Sequence, residues 1–425
     1  MTCFSKWDRV IIIIMKEEQE SEKRNFIGGV IHGTFLRSST RLADIDLILP
    51  AFVSSITGSK FLIALLPSIY FSTGRLPQLL FSNYVEPRAK KKPFLYAAIL
   101  IRAFMWFLFG FLVTWRGISN PALVLSLLFS FLLIYSLAGS LGGVALTDII
   151  GKAISGANRA RFYAARQITG SLLAFATGFL VRYVLGEGFY YDFPQNYGIL
   201  FLLSGIALLI GFAGFWIIKE PAGEKSDRKQ LNIYFSDVFK ILQSDNDFRV
   251  FLMTRVLAGF HIMIIPYYVV YFKEVAGVAE SFVGVYLMAR VFGGAVSNFL
   301  WGKVAEEASE KVILLCLLVA GLTPLIALGV TSLNPLYYSV VFVLAGSAIN
   351  ARMVGFNTQL LELAPEDKRA TYSGIRGTTI ALTAPLPFLA GGLIEFFSFQ
   401  FAFLFVSGVM LAGLIVNFFH QFNWK

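Results

Sequence analysis

The sequence predicts an all-α membrane protein with twelve transmembrane helices in two pseudo-symmetric six-helix bundles. Three observations carry that prediction. Residues of the AVILMFWYC set make up 56% of the chain and charged residues only 15%, whereas soluble chains are about a quarter charged. The apolar residues come in blocks of the length a helix needs to cross a bilayer core. Two pairs of matching polar segments then recur at equivalent places in the two halves of the chain.

The apolar blocks fall at residues 26–53, 60–83, 93–115, 121–147, 163–185, 196–218, 248–272, 279–301, 311–330, 335–361, 369–394 and 397–421. Basic residues set their orientation, because the cytoplasmic loops of membrane proteins are enriched in lysine and arginine. The odd-numbered connections hold little beyond Lys60, Arg116 and Lys273, with Arg182 at a helix end. The even-numbered ones hold Arg88 and Lys90 to Lys92, then Lys152, Arg159, Arg161 and Arg166, then Lys303 and Lys311, then Lys368 and Arg369. Both termini are therefore expected on the cytoplasmic side. The net charge of +10 is distributed as a topology signal, which leaves nucleic acid without a case as a partner.

Residues 1–25 read as a cytoplasmic amino-terminal segment. Met15, followed by Lys16 and a run of acidic residues, reads as the true start, with residues 1–14 a gene-calling artefact or a short interfacial anchor. The six-helix blocks 26–218 and 248–421 are separated by the polar stretch 219–247, and 422–425 form a cytoplasmic tail. In the linker, Leu231, Tyr234, Phe235, Val238, Ile241 and Leu242 share helical spacing, as expected of a helix lying on the inner leaflet and joining the halves. Pro67, Pro77, Pro266, Pro324, Pro385 and Pro387 interrupt spans, which membrane helices tolerate where neighbours satisfy the freed backbone groups. Gly139 with Gly143, and Gly170 with Ala174 and Gly178, allow close helix approach. Cys3 and Cys316 form no framework.

The first repeat pair follows the second and eighth spans. Ser82, Glu86 and Lys91 have the same spacing as Gly302, Glu306 and Lys311. The second pair opens the fifth and eleventh spans, where Arg159, Ala160, Phe162 and Arg166 match Arg369, Ala370, Tyr372 and Arg376.

On these residues the chain resembles the major facilitator superfamily of secondary transporters. That superfamily carries a G-x-x-x-D-R-x-G-R-K signature after its second span. Here Ser82 stands for the first glycine, Glu86 for the aspartate, Ala89 for the second glycine, and Lys90 and Lys91 for the basic pair. The second copy keeps Gly302, Glu306 and Lys311; Pro87 and Ala89 in the first copy and Glu307 in the second depart from the signature. The chain is also similar to bacterial members with I-L-P-x-F at residues 48–52 and L-P-Q at 76–78. The resemblance covers 26–421 and implies alternating access, in which one bundle rocks against the other around a midplane site. Glu86 with Arg159 or Arg166, and Glu306 with Arg369 or Arg376, are then candidate latches of the inward-closed state. The alternative is that these basic loops set topology only, with Arg166 and Arg376 snorkelling to the interface.

Charges within the spans are the candidate solute and coupling groups, since each costs roughly 2.5–3.5 kcal/mol at mid-membrane on insertion scales. Arg37, Arg41 and Asp44 stand at i, i+4 and i+7 of the first span, on one face of a continuous helix. The resemblance implies a cavity lined by spans one, four, seven and ten, which adds Arg255, His261 and Asn350. The repeat register sets Arg255 opposite Arg37. Paired guanidinium forks there suit a carboxylate or phosphate, unless Asp44 neutralises Arg41 in a purely structural pair. Asp44 is also the leading proton site, with His261 second. Asp46 points off that face toward another helix, Asp148 reads as a cap or loop partner, and Arg75 and Arg290 are charges in apolar surroundings.

Enzyme readings find little support: the three histidines, at 32, 261 and 420, lack metal-ligand spacing, and no glycine-rich G-K-S/T loop appears. The expectation is a proton-coupled secondary transporter of the bacterial inner membrane. It would act as a monomer without cofactor or metal, with a small solute, protons and the lipid bilayer as its partners. An anionic solute leads, with a proton-driven exporter of amphipathic compounds as the alternative. A non-transporting sensor or assembly factor on the same fold is a third reading.

Overall fold

The computed structural model describes residues 4–75, 77, 81, 84–85, 87–221, 241–365, 368–381 and 383–422. The side chains of 4–19, 75, 369–370, 378, 380–381 and 420–422 lie outside that description. Glu86 and the linker positions from Leu231 to Lys240 also fall outside the described residues. Every described element is helical.

Among the described residues the helices follow the order of twelve crossings, nine of them helices long and apolar enough to span a bilayer core. The first is Phe4–Leu42 continued by Ile48–Ile56, and the second is Lys60–Arg75. Next come Lys92–Arg116, Pro121–Ala153, Gly156–Val184 and Gln195–Trp216 as the third to sixth. The seventh is Asn246–Leu257 with Phe260–Glu274, and the eighth and ninth are Phe282–Glu307 and Ser309–Gly329. The tenth is Ser339–Leu363, entered through a 3₁₀ turn at Pro335–Tyr338. The eleventh is Arg369–Ala381 with Leu386–Phe396, and the twelfth is Phe399–Phe422. Exposed aromatics gather at span ends, including Trp115, Tyr183, Trp216 and Tyr337, where an amphipathic ring meets both hydrocarbon and headgroup.

Local chemistry sets the helix ends. Asn120 accepts from Leu123 N at 3.1 Å with Pro121 behind it, and Asp245 accepts from Phe248 N at 2.9 Å, each satisfying a donor that the first turn leaves over. The carboxylate of Glu220 accepts from the backbone N–H groups of Lys91 and Lys92 at 2.7 and 2.8 Å. It thereby ties the end of the sixth span to the start of the third. Asp148 pairs with Lys91 at 2.8 Å and with Lys152.

The first span is not the uninterrupted helix expected over 26–53. Its helix stops at Leu42 and restarts at Ile48. Pro50 supplies the reason: it has no N–H, and its ring excludes the carbonyl of residue 46 from a helical position. Asp44 closes the break, its Oδ1 accepting from Asp46 N at 3.0 Å. Asp44 therefore stands on a turn rather than on the helical face of Arg37 and Arg41. In the eleventh span the interruption falls beside Pro385 and Pro387, as their chemistry requires.

Packing repeats between the halves. The first span packs on the fifth and sixth, the third on the fourth and sixth, and the second on the fourth. Their counterparts, the eighth with the tenth, the ninth with the tenth and twelfth, and the seventh with the twelfth, pack likewise. The halves meet along the second and eleventh spans on one side and the fifth and eighth on the other, which are equivalent pairs under a pseudo-twofold axis. Glycine makes the tightest approaches. A Cβ on Gly284 would lie 2.3 Å from Arg182 N and 2.6 Å from the Gly178 carbonyl, so the fifth and eighth spans touch backbone to backbone across the halves.

Within the second half, a Cβ on Gly346 would fall 2.1 Å from the carbonyl oxygen of Arg290. Gly346→Val therefore forces the eighth and tenth spans apart and should cost about 1–3 kcal/mol, read as a lower thermal midpoint in detergent. Gly302→Ala, where nothing lies within 4 Å, should leave the midpoint unchanged.

Candidate functional site

The break in the first span delivers two carboxylates to the other half of the protein. Arg290, on the eighth span and only 4% exposed, donates through Nη1 to Asp46 Oδ2 at 2.9 Å and through Nη2 to Asp44 Oδ2. Arg41 donates to the same Asp44 oxygen at 2.6 Å. Two carboxylates thus face two guanidinium groups in a buried cluster spanning the halves. Asp46 does reach another helix, yet it does so beside Asp44 rather than away from it. The turn at residues 43–47 rotates the chain out of the helical register on which the opposite expectation rested.

One helical turn nearer the termini, a second pair of arginines lies on the seam between the first and fifth spans. Arg37 donates to Ser171 Oγ at 3.2 Å and to Gln167 Oε1. Its aliphatic stem crosses Gly170, where a Cβ would stand 2.5 Å from Arg37 Cδ. Arg166 crosses Gly33 in the same way, 1.9 Å from a Cβ built there. Each arginine is laid over the glycine of the facing helix, and Thr34 and Thr169 share a hydrogen bond of 2.6 Å between them. Among the described residues, no carboxylate pairs with Arg37 or Arg166.

The other predicted residues take separate places. Arg255 lies over the Phe356 ring at 4.8 Å, inside the second half, and no described contact brings it to Arg37. His261 is buried, with Nε2 lacking a hydrogen-bond partner among the described residues. Asn350 donates to the Gly294 carbonyl, which fastens the tenth span to the eighth. Arg159 donates to the Ile154 carbonyl at 3.1 Å. Glu306 is exposed, while Arg376 donates to Asn357 Oδ1 at 2.6 Å. Among the described residues, no ion pair joins Glu306 to Arg376. Glu86 and the side chain of Arg369 lie outside the described residues.

The remaining polar bridges between the halves all sit on the face of the odd-numbered connections. Lys60 binds Glu274 at 2.6 Å, its N–H donates to Glu395 at 2.9 Å, and its carbonyl accepts from Tyr267 at 2.8 Å. Lys273 donates across to the Ala51 carbonyl at 2.9 Å, and Glu280, which pairs with Lys273 within the second half at 2.6 Å, accepts from Tyr197 of the first half at 2.5 Å. Every described polar bond between halves lies at the level of Arg290 or beyond it toward that face. Among the described residues, the polar fastening between the halves lies on that face.

Comparison with known proteins agrees with this architecture. The sequence profile described as Major Facilitator Superfamily matches residues 33–386 and 251–421. The chain belongs to the Major Facilitator Superfamily.

No curated protein matches the chain by sequence. Among solved structures, a mutant form of the nucleoside transporter NupG aligns at a TM-score of 0.70 and 13% identity, covering 93% of this chain and 98% of that one. A bacterial homologue of the iron transporter ferroportin, in an inward-facing state, aligns at 0.66 and 15%, covering 94% and 98%. A POT family transporter crystallised with 5-aminolevulinic acid aligns at 0.68 and 13%, covering 94% and 95%. At these identities the likeness establishes the fold: this chain is a multi-pass membrane transporter of the superfamily.

Several site groups escaped the sequence reading. Arg102, on the third span, donates to Tyr135 Oη at 2.6 Å and holds its guanidinium 4.3 Å from that ring. Its charge inside an apolar block was signal enough to find it. Glu274, Glu280 and Glu395 sit at span ends, where a carboxylate looks like ordinary solvated surface until a donor arrives from the other half: the Lys60 ammonium for Glu274, Tyr197 for Glu280 and the Lys60 N–H for Glu395. Beside the buried cluster, a cavity of about 230 Å³ opens within the first half, lined by Arg41, Asp44, Asp46, Tyr70, Trp106 and Tyr135.

Truncating Arg290 leaves Asp44 and Asp46 buried without their shared cation. Arg290→Ala should therefore cost about 3–5 kcal/mol, and adding Asp44→Asn with Asp46→Asn should recover part of the lost thermal midpoint. A triple variant no more stable than Arg290→Ala alone would show that the three charges are not coupled.

Proposed function

We propose that the protein is a secondary active transporter of a bacterial inner membrane that moves a small anionic solute by alternating access, with protons as the coupling ion. The observation that carries the reading is the buried cluster of Arg290, Asp44 and Asp46 between the halves. A buried carboxylate held by an arginine is ionised, and the same carboxylate without its arginine favours the proton. Protonation and separation of the halves are then one linked event. Positive-inside counting puts the termini in the cytoplasm, so a molecule fastened on the opposite face is inward-facing.

Arg37 and Arg166 support the anionic solute. Arg37 stands one turn below Arg41 and its described hydrogen-bond partners are neutral, and no described carboxylate pairs with Arg166, which lies over Gly33 a turn further on. An arginine bonded only to neutral groups keeps its net charge for a carboxylate or phosphate. Gly33 and Gly170 leave room for the two stems to lie flat along the seam. A second reading, export of amphipathic compounds in exchange for protons, draws on the aromatic walls of the 230 Å³ cavity.

Proteoliposomes carrying an internal pH dye separate these readings when a panel of carboxylates, organic phosphates and hydrophobic cations is added across an imposed pH gradient. Proton movement driven by an anion, reduced at least about tenfold in Arg37→Ala, is the expected result. Movement driven by hydrophobic cations and indifferent to Arg37→Ala would transfer the case to the exporter. No proton-linked flux with any compound that stabilises the protein would favour a sensor.

Gly33→Ala gives a second check, because its Cβ displaces the flexible end of Arg166 rather than backbone. Anion-driven flux should fall several-fold while the thermal midpoint moves little; an unchanged flux would remove Arg166 from the solute path.

A further inference from the structure

The seam between the first and fifth spans carries charge that the described ion pairs do not offset. Arg41 and Arg290 are balanced by Asp44 and Asp46. Arg102, held on Tyr135 at 2.6 Å, adds a further cation in the first half. Arg37 and Arg166 add two more at the seam itself, and none of these three arginines joins a described ion pair. Arg37 also stands within electrostatic reach of Arg41 and Arg166. Like charges gathered inside a membrane are costly until a counter-charge arrives. An anion of more than one charge offsets them better than a single one.

The donors at the seam are open. Arg37 gives Nη1 to Ser171 Oγ at 3.2 Å and Nη2 to Gln167 Oε1, leaving further N–H groups on its guanidinium. Because an arginine only donates, Gln167 turns its carbonyl to Arg37 and keeps its amide N–H groups for another acceptor. Arg37, Arg166 and Gln167 are all half-buried. None of their nitrogens is among the described buried atoms that lack a partner, so the N–H groups they leave unused lie at an open surface. That surface is not the lipid face, which exposed Ile168, Leu172 and Phe179 take on the fifth span. Arg166, Gln167 and Gly170 share the side turned to the first span.

Two guanidinium forks from two helices narrow the anion further. Arg37 reaches across Gly170 from the first span, and Arg166 reaches across Gly33 from the fifth. A carboxylate has two oxygens in one plane and is filled by one fork. A group with three terminal oxygens offers a further edge to the second fork. A phosphate monoester has those three oxygens and a charge of about −1.5 to −2 near neutrality, which matches Arg37 and Arg166 together. A phosphodiester, with two terminal oxygens and a single charge, matches one arginine only.

We propose that this seam binds a doubly charged tetrahedral oxyanion, a phosphate monoester or phosphonate, which takes one fork from Arg37, a second from Arg166 and an N–H from the Gln167 amide. The inference rests on the reading of these two arginines as the anchor of the solute, and it narrows the solute's anionic group to this class. Arg102 adds to the field from its place on Tyr135.

The test titrates the full-length protein in detergent with four small probes, at about pH 7.5 and fixed ionic strength, and reads affinity from the thermal midpoint. Methyl phosphate has three terminal oxygens and a double charge; methyl sulfate has three and a single charge. Propionate is a singly charged carboxylate, and dimethyl phosphate is a phosphodiester like that of a lipid headgroup. Methyl phosphate should bind at least about tenfold more tightly than each of the others, the scale of one hydrogen bond to a charged group, and methyl sulfate more tightly than propionate. No midpoint shift with methyl phosphate would overturn the site. Equal binding of methyl sulfate would overturn the double charge, and propionate equal to methyl sulfate would overturn the two forks. Dimethyl phosphate equal to methyl phosphate would assign the seam to a lipid-type phosphodiester and overturn the proposal. Gln167→Glu sets a carboxylate against Arg37 and should weaken methyl phosphate at least about tenfold without lowering the unliganded midpoint. Arg166→Gln should erase the preference over propionate. A methyl phosphate shift that survives both variants would place its binding elsewhere and overturn the seam. No flux enters these titrations, so binding without anion-linked flux in proteoliposomes would count against the transport reading alone. Flux driven equally by carboxylates and phosphate monoesters would count against this inference alone.

Discussion

The hydrogen-bonded ion cluster of Arg290 with Asp44 and Asp46 is the interaction on which the described conformation depends. Charges this deep survive only when paired, and here the partners come from opposite halves of the molecule. The pairing is possible because Pro50 interrupts the first span. A continuous helix would have turned Asp46 away from Arg290. A break in one helix thus becomes a contact between two six-helix bundles. Outside it, Lys60 with Glu274, and Lys273 with the Ala51 carbonyl and Ser55, extend the same fastening to the face of the odd-numbered connections.

That arrangement gives alternating access a physical handle. Shape alone does not bias two rocking bundles; a group that is paired in one state and unpaired in the other does. Arg290 holds both carboxylates while the odd face is shut. In the proposed cycle, opening that face leaves Asp44 with Arg41 and strands Asp46 unless a proton replaces the charge of Arg290. Arg37 and Arg166 sit on the side of the cluster nearer the termini, where, in the proposed cycle, a solute entering from that face meets them first.

Much of this was legible in the sequence. Span number, the two halves and their relation through repeated Arg and Glu segments followed from block length and spacing, and the family profile and packing agree with them. The charged stretch from Arg37 to Asp46 also announced itself by its cost in an apolar block. What could not be read was partnership. Arg290 stood out as a charge in apolar surroundings, but nothing in a one-dimensional pattern says which carboxylate meets it across a separation of 244 positions. The repeat register placed Arg255 opposite Arg37, yet the structure lays Arg255 over Phe356. A register inferred from loop motifs carries no information about how each helix is rotated, and one residue of slip turns a side chain by about 100°. Carboxylates at span ends, such as Glu274 and Glu280, were invisible for a related reason: their role exists only when the halves meet.

The most direct measurement is the distance between the two halves on the fastened face. Spin labels on Ser119 and Ser332, both on exposed odd-numbered connections, in a chain with its native cysteines replaced, would report it in nanodiscs. The account predicts a short, narrow distance at neutral pH that lengthens or broadens on acidification, and an Arg290→Gln variant that shows the longer distance at neutral pH. A distance unmoved by both acid and Arg290→Gln would contradict the claim that this cluster holds the face shut.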